Sequence, residues 1–354
     1  MPKYLFPGGN TALGFFSFYD HILPAEDTRR MIILKGGPGV GKSTFMRRVG
    51  AELEARGLQV EYLLCSSDPH SLDGIVSRAA GFAMIDGTAP HIVDPRLPGA
   101  ADSLLNLGAF LDEEGLAARR DTIAALQRDI SACFAQSYRY LAAALPLRDD
   151  TSAIHQALTD KEKLMRLFAP WIETVTEHRA LSAPGKARSM FISAITPEGC
   201  VNHLDSFGAK RVWRISGEWA SGAHRLLSLL RHVALLHGLD VETLHCPLNP
   251  RRVEHLYLPV LDLLVTTDNR YHSFPAPAER TLCLDDARRR APSAAEEAAL
   301  RFNAEEFDRL LRYACLSLSR AKALHDELEA EYVPRMNFSS VEECYQKLLP
   351  SLPR

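Results

Sequence analysis

The sequence predicts an α/β fold of two tandem three-layer α/β/α halves, each with a mostly parallel sheet and added helices. Two observations carry this. Short apolar runs alternate with segments of helical spacing, the pattern of buried parallel strands joined by crossover helices. The second observation is an internal repeat. Phe6, Thr11, Gly14 and Asp20 recur as Phe191, Thr196, Gly199 and Asp205, each 185 positions on. At an offset of 181, MIILKGGPGVGKST (31–44) falls on VWRISGEWASGAHR (212–225), and GLQVEYLLCSSDP (57–69) falls on GLDVETLHCPLNP (238–250). His91 falls on His272 at the same offset.

In the first half, MIIL reads as a strand bounded by glycines. STFMRRVGAELEARG reads as a helix, with Phe45, Val49 and Leu53 on one face and Gly57 as its stop. QVEYLLC and GFAMID read as further strands, with a helix expected to connect them. Right-handed crossovers would then give a doubly wound sandwich. Helical patterns over 115–145 and 151–180 close the first half, and one over 293–332 closes the second. Pro184 and Gly185, in LSAPGKARS (181–189), mark the boundary, dividing the chain into residues 1–186 and 187–354.

With 354 residues, 46% of them hydrophobic, the chain can bury a large core without staples. A formal net charge of −3 supplies no global basic field, so nucleic acid is not indicated. No run of about 18 apolar residues predicts a membrane span, and the start MPKYLFPGGN does not read as an export signal. Seven scattered cysteines without a CxxC pair fit a reducing, cytoplasmic setting.

The segment GGPGVGKST satisfies GxxxxGK[ST] between a predicted strand and a predicted helix, the context that this motif requires. Gly36, Gly37, Pro38, Gly39, Val40 and Gly41 would wrap phosphates with backbone N–H groups at a helix N-terminus. Lys42 would reach the β and γ phosphates and the Ser43 hydroxyl would ligate Mg²⁺, with Thr44 next on the helix. This makes both halves P-loop NTPase-like and ATP with Mg²⁺ the expected ligands. Asp86, at the end of an apolar strand, is expected to support the Mg²⁺ shell; as an alternative, Asp-Gly is ordinary turn chemistry. Gly87 and Thr88 follow it, so a water-activating glutamate is missing from its common place and hydrolysis should be slow.

Other polar groups read two ways. Asp68 in CSSDP could orient a water or an acceptor hydroxyl, but reads better as a cap. His91 lies near the expected site, yet its repeat partner His272 sits in a copy without the lysine, which favours a structural role. In that copy Ala223 and His224 replace Lys42 and Ser43, Thr267 stands at the position of Asp86, and Glu218 adds a negative charge. One Mg·ATP per chain is expected, in the first half, with Arg225 as a candidate contributor to the γ phosphate.

FPGGNTALGFFSFYDHI, KGGPGVGKST, CSSDPHSLDG, IDGTAPH with VDPRLPGAADSLLNLG, and LHDELEAEYV together resemble a family of bacterial ATP-binding proteins with tandem P-loop domains. The resemblance spans nearly the whole chain. It implies an ATPase-type fold and ATP as the nucleotide, and its binding residues carry over to Gly36 through Thr44 and to Asp86.

Three functions compete: a slow Mg²⁺-dependent ATPase used as a switch, a small-molecule or nucleotide kinase, and an ATP-clamped protein whose second half binds a protein partner. In the kinase reading Arg78 or Arg96 would stabilise transferred charge, and the arginines of RRDTIAALQRD (119–129) could form a lid.

Overall fold

The computed structural model describes residues 2–90, 92–177 and 183–354. In the first half, strands β1 (Lys3–Leu5), β4 (Arg30–Lys35), β5 (Glu61–Leu64), β6 (Leu72–Ser77), β7 (Phe82–Asp86) and β8 (Asp102–Asn106) form one sheet, ordered β1-β5-β6-β7-β4-β8. A hairpin, β2 (Gly8–Thr11) with β3 (Gly14–Ser17), precedes it. The second half repeats the plan. Strands β9 (Ala187–Met190), β12 (Arg211–Ser216), β13 (Val241–His245), β14 (Val253–Leu258), β15 (Leu263–Asp268) and β16 (Arg280–Cys283) take the order β16-β12-β15-β14-β13-β9. Its hairpin is β10 (Ser193–Thr196) with β11 (Gly199–Asn202). The repeated Thr and Gly of the sequence close these hairpins: the Thr11 hydroxyl donates to Gly14 O at 2.7 Å, and that of Thr196 to Gly199 O at 2.9 Å.

Each sheet is mostly parallel, but the helix expected between the second and third strands is absent. The stretch instead forms β6, antiparallel to both β5 and β7, and β14 does the same between β13 and β15. The carboxylate of Asp68 explains the turn. It accepts the His70 N–H at 3.3 Å and the Ser71 hydroxyl at 2.8 Å. Asp68 therefore caps a tight turn into a strand and not a helix.

Helix α1 (Lys42–Ala55) follows β4 and covers the sheet with Phe45, Met46, Val49 and Leu53. Gly57, at φ +83°, ends it in a Schellman pair, Gly57 N–H to Glu54 O and Leu58 N–H to Leu53 O. Helix α2 (Glu113–Ala117) leads to α3 (Arg120–Leu158) and α4 (Lys161–Thr176); the second half has α5 (Ala223–Leu236), α6 (Ala294–Tyr332) and α7 (Phe338–Leu348). The break expected near Pro146 does not occur. Helix α3 runs through the proline, and the interruption falls at Thr159, before Asp160 caps α4 through the Lys163 N–H. Residues 178–182, which include the end of the expected helix and part of the expected boundary, lie outside the described residues, as does His91.

The two halves are related by a local two-fold axis. Phe6 and Phe191, repeat partners, exchange backbone hydrogen bonds at 2.9 and 3.1 Å. Around that axis Arg188 bonds Glu61 at 2.6 Å while Lys3 approaches Glu242 at 3.3 Å, a reciprocal pair of crossed ion pairs. One hydrophobic cluster runs across the junction, joining Phe6, Ile22 and Leu63 to Phe191, Leu244 and Leu264.

The helical arms are exchanged. Helices α3 and α6 lie antiparallel, fixed by the Ser137 hydroxyl on Ala314 O and by Asn303 on Asp150. Helix α4 then packs on α5 of the second half, while α7 packs on α1 of the first through Arg48–Glu342 and Phe45–Tyr345. The expectation of helices layered on their own sheet is corrected here: each arm crosses to the other half.

Candidate functional site

The first glycine loop joins β4 to α1 at the end of two parallel strands. Gly39 and Gly41 have φ of +69° and +88°, conformations that admit L side chains poorly, and Gly41 caps α1. At Gly36 a Cβ would lie 2.9 Å from Val40 Cγ2 and 3.0 Å from Gly108 N, so the chain passes there only without a side chain. The loop curls around the Lys42 ammonium, which donates to Gly36 O at 2.7 Å and Gly37 O at 2.9 Å. Asp86 Oδ2 stands 3.6 Å from the same nitrogen, while Oδ1 is pinned by the Thr88 N–H at 2.8 Å and by the Thr88 hydroxyl. Lys42 and Asp86 are therefore brought together, with Ser43 the next residue of α1, Val40 buried and Thr44 exposed. Pro38 lies within the loop.

Sequence reasoning missed Asp73. The β5–β6 register skips at Leu63/Leu64, with Gly74 opposite Leu63 and Leu72 opposite Leu64, leaving Asp73 as the extra residue of a bulge. The residue is 5% exposed. The Leu72 N–H donates to Ser43 Oγ at 3.0 Å, which ties the bulge to the start of α1. Burial, then Asp73, Cys65 and Asp86, push the Tyr19 phenol well above its ordinary value. A bulge signal exists in Leu72-Asp73-Gly74, but it is visible only once the stretch is read as a strand.

The other missed residue is Glu329, near the end of α6. Its Oε1 accepts the Gly39 N–H at 3.2 Å. A Cβ on Gly37 or on Gly39 would meet Tyr332 or Val333 at 3.0 Å, so the arm from the second half lies directly on the loop. Lys322, one face along α6, ion-pairs Asp68 at 3.6 Å. The arginines of the kinase reading are elsewhere. Arg78 pairs with Glu242 at 3.0 Å beyond the end of β6, at the end of the sheet away from the loop; Arg96 donates to Leu23 O at 3.0 Å; Arg119 is forked on Glu331.

The second loop keeps its shape without its ligands. Gly222, at φ +106°, caps α5, and Ala220 holds φ +61° at the repeat position of Gly39. That left-handed backbone costs a non-glycine residue about 1–2 kcal/mol. Pairing of Ile215 with Thr267, like that of Leu34 with Asp86, puts Thr267 at the carboxylate's place. Asp268 is taken up by Arg214 at 3.5 Å. A small cavity of about 40 Å³ lies here, lined by the loop together with Arg148 of α3, Glu254 and Thr267. Burial first, then Arg252, Arg148 and Arg225, depress the His224 imidazole to about 3. Arg225, the next residue on α5, is exposed.

Compared with known proteins, the chain matches no family model, no curated protein and no solved structure. Among the described residues, no helix is long and apolar enough to cross a membrane. The seven cysteines are free.

Proposed function

We propose that the first half binds one Mg·ATP per chain in a P-loop and that the protein is a slow ATPase whose bound state is read by the α6 arm. The observation that carries this reading is the approach of Lys42 to Asp86, 3.6 Å apart, inside a loop that ends on the N-terminus of a fourteen-residue helix. The residues fit the ligand chemically. Backbone N–H groups and Lys42 suit a triphosphate, while Ser43, Asp86 and Asp73 offer the oxygen ligands that Mg²⁺ prefers. Lys42, held by two loop carbonyls, keeps the loop compact and would exchange those partners for phosphate oxygens.

Glu329 supports a switch. Its carboxylate sits on a loop amide that a phosphate oxygen would use, so binding must move it, and with it the end of α6. The placement of Arg78 and Arg96 in contacts away from the loop weighs against the kinase reading.

Calorimetric titration of ATP, GTP and ADP with and without Mg²⁺, with phosphate release measured alongside, tests the proposal. One Mg-dependent ATP site with slow, acceptor-independent release is expected; two equal sites or no binding would reject it.

A further inference from the structure

The second half contains a buried cluster that the nucleotide reading does not use. Glu254, His255 and His272 each place one ligand atom within 4.8 Å of the others. His255 and His272 are 0% and 7% exposed, and the Glu254 side chain 12%. Adjacent strand residues ordinarily face opposite sides of a sheet, so Glu254 and His255 should not meet. A bulge removes the obstacle. The β13–β14 register passes from Leu244 opposite His255 to His245 opposite Val253, which leaves Glu254 as the extra residue and re-aims it. His272 arrives from the turn after β15, where Asn269 and His272 bridge.

An ordinary ion pair explains part of this: His272 Nε2 lies 2.9 Å from Glu254 Oε1. It does not explain two buried polar atoms of the cluster that have no partner among the described residues, namely Glu254 Oε2 and His255 Nε2. His255 Nδ1 is engaged, 2.9 Å from Thr266 Oγ1, with the Thr267 N–H also reaching it at 3.3 Å. Either tautomer leaves Nε2 without a partner. While Nδ1 accepts the Thr267 N–H the ring proton sits on Nε2; a metal taking Nε2 moves that proton to Nδ1, which then gives up the Thr267 contact and donates to Thr266 Oγ1, whose own hydrogen goes to Thr267 O, the far-nitrogen hydrogen bond that supports a ligating histidine.

We propose that Glu254, His255 and His272 form a divalent transition-metal site, with Zn²⁺ the ion that two imidazoles and one carboxylate suit best. Three protein ligands leave a fourth position. Of the three, Glu254 lines the cavity under the second loop, together with Thr267 and Arg148, which brings this side of the site to the cavity wall. The half whose loop lost its lysine and hydroxyl thus keeps a ligand site of different chemistry, built on a bulge like that of Asp73.

The test uses the full-length protein, stripped with a chelator and titrated with Zn²⁺ against a chromophoric competitor, with metal content also measured as purified. One tight Zn²⁺ per chain is expected, weakened about a hundredfold or more in both His272→Gln and Glu254→Gln and unchanged in Lys42→Ala. Cobalt substitution gives a readout on the unaltered chain: strong visible d–d bands without thiolate charge transfer. No stoichiometric binding by the folded protein would overturn the proposal, as would a water alone at the site in a zinc-soaked crystal. So would cobalt bands showing cysteine ligation, or affinity that survives both variants and falls instead in His325→Asn, at the half-exposed cluster His325, Asp326 and Glu329.

Discussion

The Glu329 carboxylate accepts the Gly39 N–H at 3.2 Å, so a negative group from the end of α6 already occupies an amide of the first glycine loop. A phosphate oxygen arriving there displaces it and meets its charge. The Glu329 side chain is 41% exposed. Solvent therefore screens its interaction to about 1 kcal/mol or less. Glu329→Ala is expected to tighten Mg·ATP affinity by about threefold to fivefold. Calorimetry checks this, and unchanged or weaker affinity would show that the carboxylate does not compete with nucleotide.

Lys42→Ala should weaken ATP binding by at least about a hundredfold, because a triphosphate would lose its main fixed cation and the amides cannot replace a charge-assisted bond. The same change frees Gly36 O and Gly37 O. Wild-type affinity in a folded Lys42→Ala protein would remove the site from this loop.

Asp86→Asn should act on the metal and not on the fold. Thr88 can still bond Oδ1 of an asparagine, so the strand end keeps its turn. The lost charge should raise the Mg²⁺ concentration needed for half-maximal ATP binding by about tenfold. If the Mg²⁺ dependence stays the same in Asp86→Asn, the residue is a turn former only.

Much of the first site was legible because its parts are local. MIILK, the glycines and the Phe45–Val49–Leu53 stripe fix a strand, a loop and a helix within a few residues of one another, and Asp86, at the end of the neighbouring parallel strand, stands 3.6 Å from Lys42. Asp73 was hidden because LDGIVS is short and its turn chemistry resembles a helix cap. Periodicity tells which face of α3 and α6 is apolar, but not whose sheet they serve, so neither the exchanged arms nor Glu329 could be read. The repeat was legible where each match has a local duty, as with Thr11 and Gly14.

The crossed ion pairs at the two-fold axis should be structural. Arg188 is 7% exposed and bonds Glu61 at 2.6 Å, with Glu242 3.7 Å away. Arg188→Met would leave these two carboxylates with Lys3 and the half-exposed Arg78 as their ion-pair partners among the described residues. Breaking a buried pair in this way should cost about 3 kcal/mol. Urea unfolding measures it. Adding Glu61→Gln should recover part of the loss, and a single variant as stable as the parent would mean that the pair is already well solvated.

Acid should destabilise the protein early, through its second half. Burial first, then neighbouring arginines, hold His224 at about 3, and burial holds His245, packed 4.6 Å from the Phe18 ring, at about 4. Both values lie below the ordinary 6.5 of an unfolded imidazole. Between the two limits the unfolded chain therefore binds more protons than the folded one, and stability rises with pH. The contribution is complete above about pH 6.5 and is lost as pH falls towards 4 and 3. Each group adds at most about 1.4 kcal/mol per pH unit within its window, so unfolding free energy should fall by more than about 1 kcal/mol between about pH 6 and 5, before most carboxylates titrate. The double variant His224→Gln, His245→Gln should flatten that slope while leaving stability at about pH 8 much less changed. If denaturant titrations gave the double variant the same slope as the parent, the early acid loss would have to come from other groups and the buried, neutral state of these two imidazoles would be wrong.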